Sequence, residues 1–344
     1  MRGLKKYWKC GILGTGLLLA AGGLQLAARK LPDFGTWYAE TIYPLLVGSI
    51  GRIFGWLPFS VVEFGLYGLI IVCVVYGILH IREGGRLVCR TLFLVGCMAL
   101  IYTLNCGINY YRRPFSAYLN LEIRQSSKEE LYELCDYLTG QVNYSARLRR
   151  VTKPPENTAG TGVMAMENLG KTYPQLGGFY PKPKAVACSR ILSVQQLCGI
   201  YSPFTIEANY NREMTEYNIP HTVCHELSHL KGFMREDEAN FIGFLACIGS
   251  GVPDWEYSGY LTGWVYAGNA LYKVDPEAYW ELHDELDESV RQDLNDNNEF
   301  WDRFDTKVAE AATKVNDSYL KANSQTDGVK SYGRMVDLML AYYR

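Results

Sequence analysis

Two histidines and two carboxylates near the middle of the chain have the types and the spacing of a zinc site. His225 and His229 are four residues apart, so on a helix both imidazoles lie on one face and can reach one metal ion. Glu226 follows the first histidine, close enough to take a proton from a water that the metal activates. Glu236 can complete a set of three ligands and leave one position open, as a catalytic zinc requires. The pattern therefore predicts hydrolysis at a bound Zn²⁺.

Local signals predict two helices that would position these groups. Pro220 is expected in the first turn of the helix that carries the histidines, and Gly232 is expected to stop it. Val223 and Leu227 give this helix an apolar face to bury, opposite the histidines. A second helix is predicted over residues 236–248. The apolar stretch that it opens, residues 239–252, is too short for a membrane span, so this helix is expected in the core.

The third ligand has two candidates, because Glu236 and Glu238 are two residues apart and point roughly 200° apart on one helix. The face that begins at Glu236 continues through small residues, which would let the two helices pack closely. These residues are Ala239, Asn240, Gly243 and Cys247. Because these small residues share a helix face with Glu236, Glu236 is favoured as the ligand, and Asn240 is expected to be a hydrogen-bond partner of a ligand histidine. Glu238 remains the alternative.

Other polar residues have less direct roles. His221 lies about 12 Å from His229 along a straight helix, so it is not expected to be a ligand. It is expected beside the site, at its rim or exposed on the surface. Arg235 occupies the position where HExxHxxGxxH proteins have their third histidine, which excludes that class. A second donor is expected to stabilise the oxyanion during hydrolysis. The candidates for this donor are Tyr257, Tyr260, His283 and Tyr332.

The assembled residues resemble the gluzincin group of metallopeptidases. In that group the third ligand is the glutamate of a Glu-x-x-x-Asp motif on a second helix, and here residues 236–240 read Glu-Asp-Glu-Ala-Asn. Nearly the whole chain also resembles an uncharacterised bacterial family of membrane-anchored HExxH proteins. The segments that carry this second resemblance are residues 203–209, 225–241, 257–261 and 327–334. The two resemblances imply a zincin-like domain beside a membrane anchor, and they name no substrate.

Three apolar segments are predicted to cross a membrane, at about residues 11–28, 61–81 and 87–106, each near the ~20 residues that a span needs. Residues 42–59 are apolar but interrupted by glycine and proline, so they are predicted to lie at the interface; a fourth span is the alternative. Basic residues at the N-terminus and between the second and third spans favour a cytoplasmic N-terminus. Three spans then place residues from Asn109 onward outside the cytoplasm, and four would reverse this.

The remaining sequence predicts an α+β, mostly helical chain with a membrane region over residues 1–110 and a zincin-like domain with a small sheet over residues 111–344. Strands are expected at residues 184–189 and 199–210, and helices after Ser127 and Asp275. Residues 151–162 are expected to form a loop. The cysteines show neither metal-type spacing nor a disulfide framework. The 34 basic and 36 acidic residues argue against nucleic-acid binding.

The sequence thus favours a membrane-anchored zinc metallopeptidase, with a peptide or protein substrate and the lipid bilayer as partners. One alternative is a membrane-anchored binding or scaffold protein with a non-catalytic metal site. The other is a zinc amidohydrolase that acts on cell-envelope material. Glu226 favours catalysis, because a purely structural metal site needs no base.

Overall fold

The computed structural model describes residues 4–149, 157–323, 325 and 334–344. The chain forms two compact units. The first comprises Met1–Arg113 and Ser202–Glu207, and the second comprises Pro114–Tyr201 and Ala208–Arg344. The chain is mostly helical with one three-stranded sheet, as the sequence predicts.

The first unit consists of helices. Three of them are long and apolar enough to cross a membrane, over Tyr7–Lys30, Val61–Leu79 and Gly84–Tyr111, and they overlap the three segments that the sequence predicts. Residues 42–59 are not among them and fall largely within short helical segments. The α-helices are α1 (Leu4–Lys30), α2 (Phe34–Trp37), α3 (Tyr43–Leu46), α4 (Arg52–Gly55), α5 (Val61–Leu79) and α6 (Gly84–Tyr102). Tyr38–Ile42, Val47–Gly51 and Thr103–Gly107 are π-helical, and Ile108–Tyr111 is a 3₁₀ turn.

Helices α1 and α6 pack closely through small residues. A Cβ atom added to Gly14 would lie 2.6 Å from the carbonyl oxygen of Leu92, and one added to Gly96 would lie 2.6 Å from the carbonyl oxygen of Gly14. Small residues let apolar helices approach at backbone distance, which is the usual way that such helices associate in a bilayer.

The second unit carries the sheet and the remaining helices. Its helices are α7 (Phe115–Tyr118), α8 (Lys128–Leu148), α9 (Thr158–Thr172), α10 (Arg190–Ser193), α11 (Asn218–His229), α12 (Glu236–Ile248), α13 (Pro253–Val274), α14 (Pro276–Asp284), α15 (Glu288–Asp302), α16 (Lys307–Ala322) and α17 (Met335–Tyr343), with a 3₁₀ turn at Pro174–Leu176. Its strands are β1 (Lys184–Ala185), β2 (Gly199–Ser202) and β3 (Glu207–Tyr210); Ser202 of β2 and Glu207 of β3 belong to the first unit.

Several helix starts follow the sequence signals. Ser127 accepts a hydrogen bond from the backbone N–H of Glu130, and the Glu130 side chain bonds back to Ser127, so the predicted capping box forms. Asp275 likewise caps α14. The predicted loop over residues 151–162 is wrong in its second half: Asn157 caps α9, which begins at Thr158, and residues 150–156 lie outside the described residues.

The sheet has the strand order β1-β3-β2, so β2 lies at an edge. Strand β1 runs parallel to β3 with Lys184 opposite Asn209, and it is shorter than the strand predicted over residues 184–189. Residues 199–210 do not form one continuous strand. A turn that contains Pro203 and Ile206, whose φ is 52°, folds them into an antiparallel hairpin of β2 and β3.

The turn of this hairpin belongs to the first unit, where a carboxylate anchors it. Glu207 accepts hydrogen bonds from the backbone N–H groups of Val61 at 3.1 Å and Val62 at 2.9 Å, at the N-terminus of α5. The side-chain amide of Asn105 donates to the carbonyl oxygen of Pro203 at 2.7 Å. A buried anion at a helix N-terminus satisfies free N–H groups and complements the helix dipole.

Helix α11 lies in the core of the second unit. Val223 and Leu227 are fully buried, as their spacing predicts. A Cβ atom on Gly162 of α9 would lie 2.4 Å from Cγ1 of Val223, and one on Gly243 of α12 would lie 3.2 Å from the backbone nitrogen of His225. Gly162 thus lets α9 pack on the Val223 side chain, and Gly243 brings α12 close to the backbone of α11. The small-residue face predicted for α12 is the face that packs there.

Candidate metal centre

A short connection brings the start of α12 to the last turn of α11. Helix α11 ends at His229, and Gly232 adopts a φ of +82°, the left-handed conformation that reverses the chain after a helix. Helix α12 then begins at Glu236. The sequence signals for these two helix boundaries are confirmed.

Three side chains converge where the two helices meet. His225, His229 and Glu236 each offer one ligand atom, and these atoms all lie within 4.8 Å of one another. Nε2 of His225 is 3.2 Å from Oε2 of Glu236. The two imidazole rings are perpendicular, at 89°, with centroids 4.9 Å apart. Within the described part of the chain, this is the one group of three or more histidine, cysteine or acidic side chains that could hold a metal ion.

Both imidazoles are oriented through their Nδ1 atoms. Nδ1–H of His225 donates to Oδ1 of Asn240 at 2.7 Å, as the sequence predicts for Asn240. Nδ1–H of His229 donates to the carbonyl oxygen of Phe233, also at 2.7 Å. These bonds select the tautomers in which Nε2 is the nitrogen suited to bind a metal. Two imidazole nitrogens and one carboxylate oxygen are a donor set that fits zinc.

The carboxylate of Glu226 is buried beside this cluster. Its side chain is 4% exposed, and no described residue donates a hydrogen bond to Oε2. Burial raises the pKa of Glu226 to about 8, although His225 opposes the shift and Glu236 adds to it. Gly199 of β2 lies against this carboxylate, since a Cβ atom there would be 2.5 Å from Oε1. A buried carboxylate with an unused oxygen is suited to accept a proton from a nearby water.

The two histidines of the cluster differ in their affinity for a proton. Burial lowers the pKa of His229 to about 4. Burial also acts to lower the pKa of His225, but the hydrogen bond and charge of Glu236 outweigh it and raise the value to about 9. Because only a neutral imidazole can bind a metal through Nε2, metal binding is expected to release the proton of His225.

The other two candidates near the cluster have structural partners. Glu238, the alternative third ligand, is 3% exposed and accepts a hydrogen bond from the backbone N–H of Phe115 at 3.1 Å. His221 is buried, and its Nε2–H donates to the backbone carbonyl of Asn240 at 3.0 Å. The structure therefore brings Glu236 to the two histidines and places Glu238 and His221 against other groups.

Three of the four residues predicted as oxyanion donors contact other side chains in the structure. The Tyr257 hydroxyl donates to Oδ2 of Asp293 at 2.6 Å. Tyr260 packs edge-on against a phenylalanine ring of α12, at 6.2 Å between centroids. His283 lies among aromatic rings, the nearest centroid being 5.0 Å away. Tyr332 lies outside the described residues.

Sequence reasoning missed one polar residue that contacts Asn240, the hydrogen-bond partner of His225. The amide Nδ2 of Asn240 donates to the hydroxyl oxygen of Tyr266, on α13, at 3.1 Å. Gly259 and Gly263 precede Tyr266 on the same helix at spacings of seven and three residues. This spacing is the signal that could have found it, because small residues mark the face on which α13 would pack.

A family model described as "Protein of unknown function (DUF3810)" matches residues 38–340, which include most of the first unit and the whole cluster. The chain belongs to this family. Comparison with curated proteins and with solved structures finds no match. The family has no described activity. The cluster of His225, His229 and Glu236 is the feature that indicates a function.

Proposed function

We propose that this chain is a membrane-anchored, zinc-dependent metallopeptidase. The observation that carries the proposal is the convergence of the His225, His229 and Glu236 ligand atoms within 4.8 Å, beside the buried carboxylate of Glu226. A site of three protein ligands leaves one coordination position open, and this is the arrangement of catalytic rather than structural zinc. The proposed domain is zincin-like, with the gluzincin order of ligands along the chain.

Each residue has a defined part in peptide hydrolysis. His225, His229 and Glu236 would hold the ion, and zinc, when bound, supplies a Lewis acid that lowers the pKa of a water towards ~7. Glu226 accepts a proton from the attacking water and passes it to the nitrogen of the leaving amine. Asn240 keeps the imidazole of His225 oriented, as the carbonyl of Phe233 does for His229.

The edge strand gives this site a way to hold an extended peptide. Strand β2 pairs with β3 on one side, so its other side can pair with a substrate backbone. Gly199 in this strand lies against Glu226. A peptide added along β2 would therefore pass close to the base.

We further propose that the N-terminus is cytoplasmic and that the second unit is extracytoplasmic. Three candidate membrane helices support this, because an odd number of spans places the two ends of the membrane region on opposite sides. The basic residues near the N-terminus favour its retention in the cytoplasm.

The full chain, purified in detergent, provides the test. Zinc is measured by elemental analysis, and cleavage is measured on a mixture of quenched fluorescent peptides. Glu226→Gln is expected to keep stoichiometric zinc and to lose about 10²–10⁴-fold in cleavage rate, because an amide cannot act as the base. Glu133→Gln, on the exposed face of α8, is the matched control and is expected to match wild type.

Two results would contradict the proposal. A wild-type chain that holds no zinc after reconstitution would remove the metal site. Unchanged cleavage by zinc-loaded Glu226→Gln would remove the mechanism. Full zinc without cleavage of any peptide would instead favour a binding protein or an amidohydrolase with a non-peptide substrate.

A further inference from the structure

One face of α13 is fixed against the two helices of the metal centre. At its start, the Ser258 hydroxyl accepts a hydrogen bond from the backbone N–H of His221 at 3.1 Å and donates to the carbonyl of Tyr217. One residue later, a Cβ atom on Gly259 would lie 2.7 Å from Cβ of Cys247. Ser258 is itself fully buried. These contacts fix both the rotation and the height of α13.

The same face continues to the metal centre. A Cβ atom on Gly263 would lie 2.9 Å from the ring of Phe244, which is one turn nearer the start of α12 than Cys247. Three residues further along α13, the Tyr266 hydroxyl accepts a hydrogen bond from Asn240, which lies one turn nearer the start of α12 than Phe244. The antiparallel helices thus bring Tyr266 beside the residue that orients His225. No other tyrosine of the described chain is hydrogen-bonded to Asn240 in this way.

The Tyr266 hydroxyl has a hydrogen still to donate. Its oxygen accepts from Nδ2 of Asn240, and no described residue accepts its own O–H. Burial raises the pKa of this hydroxyl, and the nearby Cys198 thiol and Glu236 carboxylate raise it further, so the hydroxyl stays protonated. A phenol is both an acceptor and a donor, and here only the acceptor side is used.

We propose that Tyr266 is the catalytic hydrogen-bond donor of this centre, giving its O–H to the carbonyl oxygen of the scissile amide as that oxygen becomes negative. The proposal rests on the peptidase function proposed above. Water adds to the carbonyl carbon and loses one proton to Glu226. The C–N bond then breaks and the amine leaves with that proton. Tyr266 keeps its own proton throughout, and its hydrogen bond strengthens only as charge builds on the oxygen.

Asn240 has a part in this arrangement. Its amide nitrogen donates to the Tyr266 oxygen and holds that oxygen in place. The hydroxyl hydrogen of Tyr266 therefore points away from Asn240. One side chain therefore orients a proposed zinc ligand through Oδ1 and the proposed donor through Nδ2. An aspartate at this position, as in the gluzincin motif, would accept the Tyr266 hydrogen instead.

The test compares Tyr266→Phe with wild type as full chains in detergent. Loss of one oxyanion donor is expected to lower kcat about 10²–10³-fold with little change in KM. Zinc content is expected to stay stoichiometric. A phosphinic pseudopeptide, whose tetrahedral oxygens imitate the charged intermediate, is expected to bind more weakly by a similar factor in calorimetry. Tyr272→Phe, on the same helix and 48% exposed, is the matched control and is expected to match wild type.

A double-mutant cycle separates donation to the substrate from a merely positioning role. If Tyr266 acts on the substrate, its removal costs kcat in the Asn240→Ala background as well, measured at saturating zinc. If Tyr266→Phe has no effect in that background, Tyr266 acts only through Asn240 and the donor role is wrong. Wild-type activity in Tyr266→Phe would overturn the donor role alone. A zinc-loaded wild type that cleaves no peptide would overturn the peptidase function and the donor role with it.

Discussion

Gly199→Ala tests whether the base of the proposed reaction lies where the structure places it. The new methyl carbon would be 2.5 Å from Oε1 of Glu226, 2.8 Å from its Cγ and 2.9 Å from the carbonyl oxygen of Asn209. Comfortable contact requires about 3.5 Å, so these groups must separate by about 1 Å. The Glu226 side chain can rotate more easily than the paired strands can part, so it is expected to move.

The expected loss follows from that displacement. A misplacement of about 1 Å in a catalytic group costs about 10²-fold in rate, which corresponds to about 2.7 kcal/mol of transition-state stabilisation. The assay is kcat/KM on a cleaved peptide, with zinc content measured on the same sample. Zinc is expected to stay stoichiometric, because Gly199 lies against Glu226 rather than against a ligand.

Gly140→Ala is the matched control, since a Cβ atom there has nothing within 4 Å, and alanine is the better residue inside α8. It is expected to retain wild-type kcat/KM and at least wild-type stability. If Gly199→Ala is folded, binds zinc and cleaves peptide at the wild-type rate, Glu226 does not act from its observed position.

Three further predictions concern single side chains. Glu236→Gln is expected to bind less than stoichiometric zinc. Glu238→Gln is expected to keep its zinc and to lose about 1–3 kcal/mol of stability in thermal unfolding, because the buried acceptor of the Phe115 N–H is replaced. Full zinc content in both variants would contradict the assignment of Glu236 as the ligand. Asn240→Ala is expected to weaken zinc binding about 10–100-fold in competition with a chelator, because His225 loses its acceptor. Glu207→Ala is expected to lose about 0.5–2 kcal/mol of stability, because the first two N–H groups of α5 lose their acceptor; proteolysis in detergent no faster than wild type would count against this.

Local sequence signals predicted the elements around the cluster well. The boundaries of α11 and α12 depend on neighbours within one or two turns: a proline, a glycine in a left-handed conformation and a run of acidic residues. The preference for Glu236 over Glu238 also depends on residues close in sequence, because the small residues that let α12 approach α11 lie on the same helix as Glu236. These features could be predicted because each is set by residues close in sequence.

The features that were wrong or missed depend on distant parts of the chain. The sequence predicts a continuous strand through Pro203, but the structure has a turn there, and the carbonyl of Pro203 accepts a hydrogen bond from Asn105, 98 residues away. Tyr257 has the chemistry of an oxyanion donor, but its partner Asp293 is on another helix. Tyr266 reaches the centre only because α13 and α12 pack through particular glycines. Composition and spacing do not determine which helix faces meet.

The cap of α5 also orders events during synthesis. Its first N–H groups bond to Glu207, which is 146 and 145 residues further along the chain. At roughly 5–20 residues per second, a ribosome reaches that carboxylate on the order of ten seconds after α5 has been made. Until then these N–H groups lack the Glu207 carboxylate, and a chain that stops before residue 207 cannot form these two bonds. The start of α5 is therefore completed by a residue of the β2–β3 hairpin, just before the helix that carries the histidines.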